Sequence, residues 1–187
     1  MTEKVSDAGI LKKRAETMAA AAEERPAAGK KEEFLEFRLA GESYAVELAL
    51  VREVCSGREI TRIPGAPRFM AGVANIRGQI LPVADLGLFF GIGAEPAGPR
   101  EIVILRARAP EGTGTAGEIR ELCVLADAVC GVRRVSAAEI QPPPPGFSGI
   151  HAKYLGGLTR QGLIIFLADR FLEADHAAAA ELNGRDQ

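Results

Sequence analysis

Residues that could carry catalysis are few in this chain and stand far apart. The two histidines are His151 and His176, and neither has a partner at metal-ligand spacing. The three cysteines, Cys55, Cys123 and Cys130, form no Cys-x-x-Cys pair, a usage typical of buried thiols in a reducing compartment. We therefore predict no metal site, no cofactor and no enzymatic activity. A hydrolase that uses Cys55 or Cys123 is kept as an alternative.

A glycine-rich segment and three aspartates also fail as chemical motifs. The segment EGTGTAGE (111–118) ends in glutamate rather than Gly-Lys-Ser/Thr and precedes a predicted strand, so it lacks the context of a phosphate-binding loop. Asp85, Asp127 and Asp169 each end an apolar run, where an aspartate commonly caps a helix or forms a turn. What remains is recognition of a partner by turns and grooves.

The overall composition limits the class of partner. The 187 residues are 47% hydrophobic and carry a formal charge of −2, from 23 basic and 25 acidic residues. Without a basic excess we expect no nucleic acid partner, and a small nucleic-acid-binding β-barrel is carried only as an alternative. No apolar run is long enough for a membrane span and no apolar signal core begins the chain. We expect a cytoplasmic protein with no direct membrane insertion.

The periodicity of hydrophobic residues predicts mostly strands after residue 33, and the first 33 residues differ in composition from the rest. Residues 1–33, rich in Ala, Lys, Arg and Glu, predict a flexible or partly helical N-terminal tail. From Phe34 the period is two, and Gly41–Glu42 joins the first two strands as a hairpin. The other predicted strands lie at 51–55, 60–63, 72–76, 79–84, 101–106, 121–126, 129–135, 156–159 and 163–167.

The hairpin over 72–84 has a polar tip between two apolar strands. GVANI (72–76) and QILPVA (79–84) flank Arg77 and Gly78. Pro82 has no amide proton to donate, so its strand is predicted to be an edge strand or to carry a bulge. The polar tip is therefore either a purely structural turn or a turn that exposes Arg77 for binding a partner.

The two halves of the chain resemble each other. GVANIRGQILPVADLGLF (72–89) matches GLTRQGLIIFLADRF (157–171), and VREVCSGREITRIP (51–64) matches VCGVRRVSAAEIQPP (129–143). Each half has a turn arginine and an Ala–Asp helix cap, namely Arg77 with Asp85 and Arg160 with Asp169.

This repeat predicts a mainly β fold with two tandem small five-stranded SH3-like β-barrels, short helices and a C-terminal helix. We place the domain at 34–175, its first barrel at about 34–92 and its second at about 100–170. Residues 91–100 are interpreted as the linker between them, and the C-terminal helix and tail as residues 170–187, with the helix over about 170–182.

The segment Gly72–Asp85 resembles the signature hairpin of CheW-like coupling domains. The resemblance extends to FLEFRLAGESYAVEL (34–48), to VREV with ITRIPGAPRFMAGV (51–73), to EIQPPP (139–144) and to YLGGL with LIIFLADRFL (154–172). Several motifs in one order make it specific, and it covers about residues 33–175.

The resemblance implies an adaptor of bacterial chemosensory arrays rather than an enzyme. Family members link the cytoplasmic domains of methyl-accepting chemoreceptors to a CheA-type histidine kinase, and the receptor tip lies in a groove between the barrels. It implies a protein that is cytoplasmic but associated with receptor arrays at the membrane. A scaffold of a motility or developmental pathway with the same fold is the alternative.

Six residues are assigned to partner binding by the same resemblance. Val51 and Gly72 are expected to pack near the receptor groove, and Glu53 and Arg77 to make or orient polar contacts. Asn75 and Gly78 complete the turn that carries Arg77. The alternative for Arg77 is an ion pair with Glu53 or Asp85 that stiffens the hairpin.

Three positions depart from the family pattern. Gly87 stands where the family often has Arg or Lys, and Cys123 and Ala128 stand near positions where it often has glycine. These departures bear on the identity of the partners more than on the fold.

Overall fold

The period-two patterns form twelve strands in a computed structural model that describes residues 31–92, 98–108, 117–143 and 150–174. The predicted tail over 1–33 therefore lies outside the described residues, apart from Lys31–Glu33 in the first strand. The strands are β1 (Lys31–Leu39), β2 (Glu42–Glu47), β3 (Val51–Ser56), β4 (Ile60–Thr61), β5 (Met70–Ile76), β6 (Gln79–Asp85), β7 (Glu101–Arg108), β8 (Ile119–Ala126), β9 (Ala128–Ser136), β10 (Ile140–Gln141), β11 (Leu155–Thr159) and β12 (Ile164–Phe166). The helices are α1 (Leu86–Phe89) and α2 (Ala168–Glu173), with 3₁₀ turns at Leu48–Leu50, Ala137–Glu139 and Ile150–Tyr154.

The strands form two six-stranded sheets with the same internal order. One sheet runs β3-β7-β8-β6-β5-β4 and the other runs β9-β1-β2-β12-β11-β10. Both contain one parallel pair at the same place, β6 with β8 and β12 with β2. The mainly β fold with two SH3-like barrels is confirmed, and each sheet has six strands rather than five because a two-residue strand, β4 or β10, is included.

The predicted limits of the two barrels are wrong. The first barrel consists of β3 to β8 and the second of β9 to β12 together with β1 and β2, so the barrels are not at 34–92 and 100–170. Residues 91–100 connect α1 to β7 within the first barrel rather than joining two halves, and 93–97 lie outside the described residues. Local periodicity predicts strands but not which strand pairs with which, and the N-terminal hairpin finds its partners at the far end of the chain.

Alternating residues of the central strands face two different cores. In β7, Ile102 and Ile104 lie inside the first barrel, whereas Val103 and Leu105 belong to a larger core shared by both sheets. The second barrel has its own small core around Phe34. β7 is therefore apolar on both faces, and the face outside the first barrel packs in the core that both sheets share. Burial of each large apolar side chain stabilises the fold by roughly 1.5–3 kcal/mol.

Aromatic side chains fill the centre of the shared core. The ring of Phe89 from α1 lies 4.9 Å from Phe171 of α2 and 5.3 Å from Tyr154, measured between centroids in edge-to-face arrangements. Phe69 and Phe90 lie 5.2 and 5.3 Å from the same ring. The two short helices therefore meet through their aromatic residues, an arrangement that stabilises beyond the area it buries.

Pro82 lies in an interior strand, contrary to the edge position that the sequence offered. It faces Val73 of β5, and the parallel pairing of β6 with β8 begins only at Val83. The half of β6 that carries Pro82 thus has one neighbour, so its missing amide proton costs no ladder bond. The irregularity is in the partner strand, between Met70 and Gly72.

The capping prediction holds for Asp85 and fails for Asp169. Asp85 Oδ1 accepts a hydrogen bond from the Leu88 backbone N–H, 3.1 Å away, as an N-cap does. At the second helix Leu167 occupies the N-cap position, and Asp169 lies in the first turn. The helix ends at Glu173 rather than near 182, and residues 175–187 lie outside the described part.

Candidate partner-binding site

The tip of the β5–β6 hairpin is a two-residue turn in the left-handed region. Ile76 pairs with Gln79, which leaves Arg77 at φ +51° and Gly78 at φ +88°. These dihedrals suit the right-handed twist of a hairpin. Asn75 Oδ1 accepts a hydrogen bond from the Gly78 N–H at 2.8 Å. Asn75 and Gly78, both predicted as site residues, therefore build the turn that presents Arg77.

Arg77 makes the ion pair that the sequence offered as its alternative role. Its Nη2 lies 2.6 Å from Glu53 Oε2, and the side chain is 72% exposed while that of Glu53 is 19% exposed. Asp85 is not its partner, because that carboxylate pairs with Arg100. The predicted pair of Glu53 and Arg77 is thus brought together by the fold, with the arginine largely open to solvent.

A bulge in β3 brings a second arginine into the same surface. Val51 pairs with Leu105 and Glu53 with Ile104, so Arg52 is the extra residue. Such a bulge bends the strand and redirects side chains.

Arg52 Nη1 donates to Glu121 Oε2 at 2.8 Å and to Gln79 Oε1 at 2.9 Å. Its Nε lies 3.9 Å from Glu53 Oε1. Arg106 completes the group, with its Nε 3.8 Å from Glu121 Oε1. We call these six side chains the polar network: Arg52, Glu53, Arg77, Gln79, Arg106 and Glu121.

Four members of the polar network were missed by sequence reasoning. The available signal was the pair Arg52–Glu53, which interrupts an otherwise apolar strand. Gln79 and Glu121 gave no comparable signal, because each is an ordinary polar residue near a strand end. Only the fold brings them within hydrogen-bonding distance of Arg52.

Gly72 serves the architecture of the first barrel. Its φ is +145°, and a Cβ built there lies 2.2 Å from the carbonyl oxygen of Thr61 in β4. Gly157 repeats this in the second barrel, at φ +147° and 2.4 Å from the Gln141 oxygen. Both glycines let a short strand approach closely.

Val51 is half-buried and packs against the shared core. It lies at the start of β3, two residues before Glu53. The family resemblance placed Val51 near a receptor groove between the barrels, and that assignment stays a prediction.

Two surface grooves of about 390 and 400 Å³ lie elsewhere. One is on the second barrel and includes Arg133, Arg134 and Arg160; the first two of these pair with Glu36 and Glu33. The other is on the first barrel beside the Asp85–Arg100 pair. None of the six predicted site residues lines either groove. Asn75, Arg77 and Gly78 are exposed at the hairpin tip, whereas Gly72 is buried.

The thiols differ in environment. Cys123 is fully buried in the core of the first barrel, and burial raises the pKa of its thiol to about 12, with smaller contributions from Cys55 and Glu121. Cys130 is exposed. Within the described residues no cluster of His, Cys, Asp and Glu side chains could hold a metal ion.

These environments predict a sharp difference in thiol reactivity. At pH 8 an aromatic disulfide reagent should modify Cys130 rapidly and Cys123 only when the protein unfolds, because the thiolate is the reactive species. Cys55, which is half-buried, should react at an intermediate rate. Absorbance at the released thiolate measures these phases, and Cys130→Ser is the control that should remove the fastest one. Rapid labelling of Cys123 in native protein would contradict the assignment and revive a nucleophilic role.

Taken together, the fold and this surface define a class: a two-barrel β scaffold whose polar network lies on the outside of one barrel. Residues 33–172 match the sequence model of the CheW-like domain. The chain therefore belongs to the CheW-like family, whose members are scaffolds and adaptors of chemosensory signalling rather than enzymes.

Relatives and a solved structure agree with this assignment. Protein FrzA of Myxococcus xanthus is 35% identical over 144 residues, 77% of this chain and 82% of FrzA. Chemotaxis protein CheW of Klebsiella aerogenes is 28% identical over 153 residues, 80% of this chain and 87% of that protein. The crystal structure of the scaffolding protein TtCheW from Thermoanaerobacter tengcongensis has a TM-score of 0.61 and 30% identity, covering 73% of this chain and 89% of that one.

No helix in the described ranges is both long enough and apolar enough to cross a bilayer.

Proposed function

We propose that this protein is a non-enzymatic adaptor that couples the cytoplasmic tips of methyl-accepting chemoreceptors to a CheA-type histidine kinase. It acts in the cytoplasm, at membrane-associated receptor arrays, and needs no cofactor. The observation that carries the proposal is the Arg77 turn of a CheW-like chain, whose arginine side chain is 72% exposed and forms an ion pair with Glu53.

The chemistry of Arg77 suits the end of a helical hairpin. A guanidinium has five donors in a rigid fork that match carboxylates and carbonyl oxygens. The last carbonyls of a helix have no intrahelical partner, and carboxylate side chains at a helical tip offer a second acceptor. Glu53 engages Nη2 of this guanidinium and the turn fixes the backbone. The remaining N–H donors can therefore bind a partner at low entropic cost.

The test is reconstitution of the protein with a CheA-type kinase and a chemoreceptor cytoplasmic fragment. We expect the wild-type protein to bind both and to raise kinase autophosphorylation in the ternary mixture. Arg77→Ala should weaken receptor binding about tenfold, the loss of one charge-assisted contact. Arg160→Ala is the matched control, since Arg160 is the turn arginine of the second barrel. Failure of the wild type to bind either partner overturns the proposal.

A companion variant separates partner contact from hairpin stiffening. If Arg77 only stiffens the hairpin, Glu53→Gln and Arg77→Ala should reduce stability equally and leave receptor affinity unchanged. If Arg77 contacts the receptor, Arg77→Ala should weaken binding more than Glu53→Gln does. Affinity from calorimetry and stability from urea unfolding distinguish these outcomes.

A second candidate is a scaffold of a chemosensory pathway with an output other than chemotaxis, such as motility or development. It is favoured by one observation, that a relative with 35% identity bears the name FrzA rather than CheW. Binding assays with receptor fragments of several classes separate the two candidates. A preference for receptors outside the chemotaxis classes supports the second.

A further inference from the structure

Glu121 is the most buried charged member of the polar network. Its side chain is 12% exposed and faces two arginines, Arg52 at 2.8 Å and Arg106 at 3.8 Å. Arg52 is the closer partner, and Gln79 accepts a second hydrogen bond from the same guanidinium nitrogen. Arg52 is therefore fixed between β8 and β6 by two well-formed contacts.

Glu53 and Glu121 compete for the same guanidinium. Arg52 Nε lies 3.9 Å from Glu53 Oε1, beyond hydrogen-bonding distance. That oxygen is buried and accepts no hydrogen bond from any described residue. Burying a carboxylate oxygen without a donor is costly, so Glu53 Oε1 would take Arg52 if Glu121 released it.

We propose that Glu121 is a positioning residue for the ion pair of Glu53 and Arg77. By holding Arg52 on β6 and β8, it keeps Arg52 Nε 3.9 Å from Glu53 Oε1, within ion-pair distance but beyond a hydrogen bond, and leaves Arg77 as the closer cation of that carboxylate. Arg77 is thereby anchored at the hairpin tip. The consequence for receptor binding rests on the proposed function, whereas the positioning itself does not.

Arg52 and Glu53 are neighbours in sequence, so this competition is built into the bulge. An unbulged strand would place their side chains on opposite faces. The bulge brings Arg52 Nε to 3.9 Å from Glu53 Oε1, a loose ion pair. Glu121 of β8 provides a second carboxylate, which Arg52 Nη1 contacts more closely, at 2.8 Å.

The experiment measures the coupling between Glu53 and Arg77 with Glu121 intact and changed. A double-mutant cycle of Glu53→Gln and Arg77→Gln, read by urea unfolding, gives the coupling as a ratio of unfolding constants. We expect roughly two- to fivefold in the wild type, the range for an exposed pair. In Glu121→Gln the coupling should fall to nearly onefold. Adding Arg52→Gln to Glu121→Gln should restore it, because the competitor is gone.

NMR spectroscopy reports directly whether the Arg77 guanidinium is held by Glu53. In wild-type protein the Arg77 guanidinium should rotate slowly and give distinct Nη signals by ¹⁵N NMR. These signals should merge in Glu121→Gln and separate again in the double variant with Arg52→Gln. The matched control is Glu36→Gln, which removes a carboxylate of similar burial from the Arg133 pair of the second barrel and should leave the Arg77 signals unchanged.

The outcomes separate the two proposals. If Glu121→Gln leaves both the coupling and the Arg77 signals unchanged, or if Arg52→Gln restores neither, the positioning role is wrong even where the receptor binds. If the coupling responds as expected but the wild-type protein does not bind a receptor fragment, the positioning role stands and the proposed function fails. Loss of receptor affinity in Glu121→Gln with recovery in the double variant supports both.

Discussion

Replacing Gly72 by alanine is expected to lower the free energy of unfolding by about 4 kcal/mol, among the largest effects of a single substitution. The added Cβ would lie 2.2 Å from the Thr61 carbonyl oxygen and 3.1 Å from the Arg62 Cα. Both are backbone atoms, so neither can rotate away, and strand β4 must separate from β5. A φ of +145° adds strain for any residue with a side chain. Urea unfolding of both proteins measures the difference.

Gly78→Ala is the control for this substitution. Gly78 also has a positive φ, +88°, but a Cβ there meets nothing within 4 Å. Its cost should be only that of the left-handed backbone, about 1–2 kcal/mol. Equal losses in the two variants would show that backbone strain rather than the contact with β4 makes Gly72 necessary. Gly157→Ala, which meets the Gln141 oxygen at 2.4 Å, should behave like Gly72→Ala.

Truncating Phe89 to alanine is expected to destabilise both barrels together, by about 4 kcal/mol. Its ring lies 4.9–5.3 Å, between centroids, from four other aromatic rings of the shared core, so its loss would leave a cavity among them. Because this core is common to both sheets, unfolding should remain one cooperative transition that shifts to lower denaturant. Circular dichroism in urea follows it.

Leu88→Ala provides the comparison on the same helix. Leu88 is 53% exposed, so its truncation should cost under about 1 kcal/mol. Two separate transitions in Phe89→Ala would mean that the barrels are independent folding units. The shared core would then be an ordinary domain contact rather than part of one cooperative structure.

Local features of the fold were predictable from the sequence because they depend on near neighbours. The hairpin over 72–84, the Asp85 cap and the Arg77–Gly78 turn each follow from patterns of a few adjacent residues. The repeat correctly indicated two similar barrels. It misled at Asp169, because the Ala–Asp dipeptide repeats in sequence while the strand register places Leu167 at the cap.

Individual residues of the site could be predicted from the sequence, but most of the contacts between them could not. Glu53 and Arg77 could be named, and their pairing could be offered as one of two possibilities. The bulge that makes Arg52 an extra residue depends on how β3 pairs with β7, which no local pattern encodes. Glu121 comes from a strand distant in sequence, so the competition for Arg52 could not be foreseen.

The strand order of the second barrel has a consequence for synthesis. Its first two strands, β1 and β2, precede the whole of the first barrel in the chain, and its next strand, β9, begins at Ala128. A growing chain therefore presents all of β3 to β8 before any of β9 to β12 exists. Until then the N-terminal hairpin, with Phe34, Leu35 and Phe37 on its inner faces, has only part of its final partners. During this interval the first barrel is the surface that can cover the apolar residues of the β1–β2 hairpin. Segments made early and segments made late then pack together in the shared core.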